Sequence, residues 1–321
     1  MDFSILKSTD GGQSWTVVAP DLYASSFAFD PFDPKVTYIR GDRCIYKSTD
    51  GGTSWSRVDS GLNFVHYGTY SYGIYQKPKS NKGIAATDVY DLALDPVDPN
   101  IIYAATRSGV WRSEDGGETW ELRDNGIEGR VIYGLEVNPA DHNILYACGG
   151  GGVYKSSDGG LRWSKLLEFG CCMAIAISEV DPNVLYVVMN DYDHMRGEEI
   201  RKILRTEDGG ISWDDFSNGI PRDFSFDIVD LKVDPHSPYA VFLVHERQGP
   251  YKTTGYSPNW KPMGEGDFAS TGRWSDDIEI TPEGIIYLAG TGSFGGVFKL
   301  SLIHISEPTR PRLISYAVFC L

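Results

Sequence analysis

Apolar and polar positions alternate with a period of two through most of the chain, and the alternation breaks at regular points on Asp-Pro and on Asp-Gly-Gly. A period of two puts successive side chains on opposite faces of a strand, so the pattern predicts strands rather than helices. Two kinds of segment recur. In the first, an apolar strand ends in Asp-Pro or a relative of it, a short turn follows, and a second strand opens with a Tyr. The copies are Phe27 to Ile39 (F-A-F-D-P-F-D-P-K-V-T-Y-I), Leu92 to Ala104 (L-A-L-D-P-V-D-P-N-I-I-Y-A) and Leu135 to Ala147 (L-E-V-N-P-A-D-H-N-I-L-Y-A), with looser versions through 177–187, 231–241 and 278–288. Proline stops the strand because it has no amide to give a ladder, and Asp or Asn starts the turn.

The second segment is Val110 to Trp120, V-W-R-S-E-D-G-G-E-T-W, read as a strand, a tight turn and a return strand. Asp115 folds its carboxylate onto turn amides, Gly116 and Gly117 supply positive φ, and Trp120 covers the turn. Further copies carry Asp10 and Trp15, Asp50 and Trp55, Asp158 and Trp163, and Asp208 and Trp213. A sixth, Thr253 to Trp260, keeps the Thr and Trp but not the Asp and the Gly pair. Each turn reads as self-contained, so its Ser or Thr, Asp and Trp are assigned to structure.

Together the two segments make a unit of four strands. Four-stranded units with no helical period between them are the pattern of propeller blades. The expectation is an all-β propeller of about seven four-stranded blades, incomplete at its C-terminal end, with residues 1–301 as one domain. An insertion falls at about 62–87. Residues 302–321 drop the glycine-rich pattern and hold no further hairpin, and they are set apart as a non-native read-through tail.

The D-G-G hairpins resemble Asp-box repeats, also called bacterial neuraminidase repeats, which occur in β-propellers. The resemblance extends to sortilin-type receptors and photosystem II assembly factors, to xyloglucan-cleaving enzymes, and to sialidases. It implies either a non-catalytic binding or assembly propeller that takes peptide or glycan on its top-face loops, which is the preferred expectation, or a glycoside hydrolase. The xyloglucan-cleaving enzymes place one catalytic Asp on each of two propellers, and Asp42, Asp88 and Asp191 lie in suitable loops here without a matching motif. Sialidase chemistry ranks last: no Arg-Ile-Pro occurs, and Ile220, Pro221 and Arg222 have the wrong order.

The top-face loops supply the ligand-binding candidates. Tyr70 and Tyr72 stand in the insertion among further aromatics, where stacking on a ligand and packing of the loop both fit. Arg107, Arg130, His245, Arg247, Arg273 and Trp274 stand in other loops, where arginines take carboxylates in bidentate fashion or pair with neighbouring acids. The acidic run Asp191, Asp193, His194, Glu198 and Glu199 lacks the spacing of a calcium or zinc loop, so a solvated loop is expected and no metal or cofactor.

The formal charge of −15 on 321 residues, with no basic run, argues against nucleic acid and anionic membrane surfaces. No apolar run is long enough to span a bilayer. Acidity and the resemblance point to a secreted or periplasmic protein. Cys44, Cys148, Cys171, Cys172 and Cys320 form no disulfide framework or metal pattern, so they read as buried thiols, with a bridge between Cys148 and Cys171 as the one alternative.

Overall fold

The computed structural model describes residues 4–8, 14, 16–20, 22, 26–41, 44–59, 88–129, 131–193, 198–220, 228–245, 249–263, 274–280, 286–291, 296–300 and 318–320. Among these residues every regular element is a β-strand.

The unit read from the sequence is seen most plainly over 89–122. Val89–Leu94 pairs antiparallel with Ile102–Thr106, which pairs with Gly109–Ser113, which pairs with Glu121–Leu122. The same order holds for Ser26–Phe29, Thr37–Gly41, Cys44–Ser48 and Ser56–Arg57, and again for Ile228–Asp234, Ser237–His245, Gly249–Thr254 and Lys261–Pro262. Between them lies a six-stranded sheet: Ile132–Val137, Leu145–Ser156, Ser164–Ile177, Leu185–Asp193, Glu198–Thr206 and Asp214–Asp215. It is continuous because Ser164–Ile177 pairs along its first half with 150–155 and along its second half with Leu185–Asp193. Four sheets thus hold four or more strands. Two three-stranded sheets flank them, one of Trp274–Ile280, Ile286–Thr291 and Gly296–Leu300, the other of Thr16–Pro20, Ser4–Lys7 and Val318–Cys320.

Side chains explain the strand ends. Asp30 Oδ1 accepts the amides of Phe32 and Asp33 at 2.8 and 3.0 Å. Asp95 does the same for Val97 and Asp98, and Asn138 for Ala140 and Asp141. In the looser copy the Ser178 hydroxyl takes that place, receiving Val180 and Asp181 at 3.2 Å. Any of the three residue types bends the chain here because each offers a short side-chain oxygen to the amides two and three residues on.

The core is a series of layers between successive sheets. Tyr38, Ile45 and Val58 from one sheet pack on Leu92, Ile102, Trp111 and Trp120 of the next. Tyr103, Val110 and Ala105 then pack on Ile132, Leu135, Leu145 and Trp163. The first strands of successive four-strand units, at 26–29, 89–94, 132–137, 171–177 (the second half of Ser164–Ile177), 228–234 and 274–280, lie against one another in chain order. Twisted sheets meeting face to face with their first strands innermost define a β-propeller.

Candidate functional site at the rim of the inner strands

Each repeat has two ends. At one, the Asp-Pro turn and the D-G-G turn touch: the amides of Gly51, Gly116, Gly159 and Gly209 donate to the carbonyls of Lys35, Asn100, Asn143 and Asn183 at 2.9 to 3.0 Å. In the D-G-G turn the Asp carboxylate is used by the turn itself. Asp50 accepts the Ser54 amide at 2.8 Å and the Ser54 and Ser48 hydroxyls at 2.6 and 2.9 Å, while Ser48 Oγ receives the Gly52 amide at 2.8 Å. The hydroxyl and amide of Ser54 hold Asp50 down to about 2. Asp115 and Asp208 repeat this network with Thr119 and Ser212, and Asp158 does so through the Arg162 amide. Gly51 and Gly52 have φ of 71° and 86°, the left-handed values such a turn needs.

The turns are not self-contained, which corrects the expectation from sequence. Trp120 Nε1 donates to Gly117 O in its own turn at 2.8 Å and to Val58 O of the preceding repeat at 3.1 Å. Trp163 Nε1 reaches only back, to Arg123 O at 2.8 Å. From the other side, the Tyr38 hydroxyl and the Lys47 ammonium both donate to Gly116 O at 3.3 Å, and Tyr146 and Lys155 do the same to Gly209 O. The second-strand Tyr and the D-G-G turn are therefore two halves of one joint between repeats.

The opposite end is the rim, where inner strands begin. Asp88 precedes Val89–Leu94 and Arg107 follows Ile102–Thr106. The Arg107 amide donates to Asp88 O at 3.0 Å and its guanidinium faces the Asp88 carboxylate at 3.4 Å. Arg107 is half exposed. Beside this pair the half-buried rings of Tyr90 and Tyr133, each the second residue of an inner strand, stand 5.0 Å apart at 55°. Burial pushes the Tyr133 hydroxyl upward in pKa, and nearby Arg107 pulls the other way. From the preceding repeat, Arg40 Nη1 donates to the carbonyls of Val89 and Tyr90 at 3.2 and 2.6 Å. Asn190 Oδ1 is buried with no hydrogen-bond partner among the described residues.

Below the rim the inner strands carry charge. Asp91 accepts its neighbour's amide, Leu92, at 2.8 Å and reaches across to the Leu135 amide of the next repeat at 3.0 Å. Asp230 does the same with Leu231 and Ile278. Glu136 lies between them. Burial pushes its carboxyl up to about 8 against the pull of Lys232, with Asp91 and Asp230 adding to the rise. Burial also raises Asp91.

Of the residues predicted from sequence, Arg107 and Asp88 come together at the rim. His245 is fully buried as the last residue of Ser237–His245, so it presents nothing to a ligand at the surface. Trp274 opens the inner strand Trp274–Ile280, and Asp191 lies within Leu185–Asp193. Tyr70, Tyr72, Arg130, Arg247, Arg273, Asp42, Asp10 and Trp15 lie outside the described residues. No cluster able to hold a metal, and no helix long and apolar enough to cross a membrane, occurs among the described residues. Cys44, Cys148, Cys171 and Cys172 are free thiols. Tyr90, Tyr133, Asp91 and Glu136 were missed. The available signal was a polar residue inside an otherwise apolar first strand, as in V-Y-D-L-A-L and Y-G-L-E-V.

No family model matches the chain, and no curated protein matches it by sequence. Solved structures match by fold, and they are β-propellers. An ancestral GH74 enzyme superposes with a TM-score of 0.64 at 19% identity, covering 90% of this chain and 42% of its own. The GH74 xyloglucanase from Xanthomonas campestris gives 0.61 at 18%, covering 86% and 44%. The structure of YCF48 bound to D1 peptide gives 0.54 at 12%, covering 90% and 78%. The chain thus spans less than half the length of these GH74 structures.

Proposed function

We propose that the chain is a binding propeller that holds a peptide segment of a protein partner against the rim and performs no chemistry on it. The observation that carries this reading is the rim itself. The Tyr90 and Tyr133 rings, 5.0 Å apart, form an apolar wedge, and the exposed Arg107 beside them is a donor for peptide carbonyls or a carboxylate. The peptide-bound YCF48 structure supports it as a propeller of comparable extent with a peptide ligand. In this reading the D-G-G hairpins are Asp-box repeats. The blades number about seven, the six-stranded sheet counting as two. Residues 1–301 form one domain and 302–321 are a non-native tail, of which Val318–Cys320 pairs with Ser4–Lys7, and the protein works in a secreted or periplasmic setting. Tyr70, Tyr72, Arg130, Arg247, Arg273 and Trp274 are further candidate ligand contacts in this reading. The test is peptide-array binding by the wild type and by Tyr90→Ala/Tyr133→Ala. A sequence-coherent set of peptides lost in the variant supports the reading, and a set bound equally by both overturns it.

A second reading is a glycoside hydrolase acting on xyloglucan or another glycan. It is favoured by one observation, the Glu136 carboxyl held near 8 beside Asp91 and Asp230, since a carboxyl still protonated at neutral pH suits a general acid. Of the acids suggested by sequence, Asp88 is already paired with Arg107. Reducing-end release from xyloglucan that disappears in Glu136→Gln would establish this reading in place of the first.

A further inference from the structure

Six of the seven large apolar residues exposed among the described residues lie at the turn end of the propeller. Phe32, Val97 and Val180 hold one and the same place in three of the four turns that end the first strands, at 58%, 61% and 55% exposure, and Ala140 holds it in the fourth. Leu161 and Ile211 follow the Gly pair in two D-G-G turns, at 49% and 86%, and Tyr256 stands in the sixth turn at 60%. The turns are joined within each repeat by the glycine amide bonds and between repeats by the Tyr and Lys bonds to glycine carbonyls. The apolar tips therefore sit on one continuous surface. Scattered single apolar residues are ordinary on a protein surface, but a set repeated on one face marks an interaction site.

Charge decides what that surface takes. The turns 30–36, 95–101, 138–144 and 178–184 with 48–55, 113–120, 156–163 and 206–213 hold fourteen Asp or Glu against two cations, Lys35 and Arg162. Of the other cations near the turns, Lys47 and Lys155 lie over the rings of Tyr38 and Tyr146, Lys7 donates to Gly51 O, and Arg112 and Arg205 pair with Glu114 and Glu207, so acids still outnumber cations on this face. The Asp50, Asp115, Asp158 and Asp208 carboxylates receive turn amides and hydroxyls that hold them below the usual carboxylate range, so the hydrogen bonds of the turns keep their negative charge in place. A second copy of this chain, a nucleic acid or an anionic bilayer would meet like charge.

We infer that the turn face is a docking surface for a cationic segment of a partner protein, one whose Lys and Arg residues are interleaved with apolar side chains. The acidic turns attract and orient the segment, and Phe32, Val97, Val180, Leu161 and Ile211 receive its apolar side chains. The site is at the opposite end of the sheets from the rim and does not depend on what the rim binds.

The test is fluorescence anisotropy with three labelled peptides of equal length: alternating lysine and leucine, lysine alone, and alternating glutamate and leucine. The lysine–leucine peptide is expected to bind at least tenfold more tightly than either of the others, and more weakly as salt is raised. The triple variant Phe32→Ser/Val97→Ser/Val180→Ser is expected to lose at least tenfold for that peptide while binding the lysine peptide as the wild type does. Should that variant fail to fold, Leu161→Ser/Ile211→Ser carries the same expectation. Glu118→Gln/Glu179→Gln is expected to weaken both cationic peptides, and Tyr90→Ala/Tyr133→Ala to change neither. No binding, or a loss under tenfold in a folded apolar variant, overturns the inference.

Discussion

The Asp91 carboxylate receives the Leu135 amide from the neighbouring repeat at 3.0 Å, and so ties the inner edge of one sheet to the inner edge of the next. An innermost strand has a row of amides with no strand beyond to accept them. Asp91, and Asp230 at the equivalent place, supply that acceptor from within the strand before. Asp91→Ala should leave the Leu135 amide without its partner and cost about 1–3 kcal/mol in urea denaturation. Asp91→Asn keeps an acceptor oxygen and should cost less; an equal loss in both would show that charge, not acceptance, is what matters.

Glu136 should make stability fall with rising pH. Its carboxyl titrates near 8 in the fold and near the ordinary 4.5 when unfolded, so between those values the folded state holds the extra proton. Stability is then greatest below the unfolded value and is lost as pH rises through the folded one. Asp91, also raised by burial, acts in the same direction, while Lys232 opposes it. Glu136→Gln should flatten the decline in melting temperature from pH 5 to pH 8 and leave the variant the more stable at the upper end. A wild-type profile flat over this range would contradict the assignment.

The tryptophans of the D-G-G turns should differ by where the indole points. Trp163 donates only to the preceding repeat, at Arg123 O, whereas Trp213 donates to Gly210 O in its own turn at 3.2 Å. Trp163→Phe should cost about 1–2 kcal/mol, because a carbonyl between repeats is left unpaired. Trp213→Phe should cost less, since the turn keeps its Asp208 and Thr206 bonds. Urea midpoints of the two variants compare them directly, and equal losses would remove the distinction.

Much of the fold was legible because it is local. Period-two alternation gave the strands, and the side-chain oxygens of Asp30, Asp95 and Asn138 act on amides two or three residues away. The joint between repeats was not legible. Tyr38 meets Gly116 across 78 positions, and nothing in S-E-D-G-G-E-T-W announces a partner so distant. His245 was read as a loop residue because H-E-R follows an apolar run, yet the strand continues through it and buries it. At the rim, Arg107 and Asp88 were singled out as separate residues, and only the pairing of Val89 with Thr106 brings them together.

Arg107 should contribute to ligand binding without supporting the fold. Its guanidinium is half exposed and its ion pair with Asp88, at 3.4 Å in contact with solvent, is of the kind worth about 0–1 kcal/mol. Arg107→Ala should leave the melting temperature nearly unchanged and weaken peptides selected on the array several-fold. A melting temperature that drops sharply with affinity unchanged would make it structural instead.

The central claim is that the rim formed by Tyr90 and Tyr133 binds a peptide. The measurement that tests it most directly is binding of the wild type to an array of short peptides, repeated with Tyr90→Ala/Tyr133→Ala shown to be folded. The account predicts a set of bound peptides that share a sequence pattern and fall to background in the variant. A set retained by the variant, or no set at all, would contradict it.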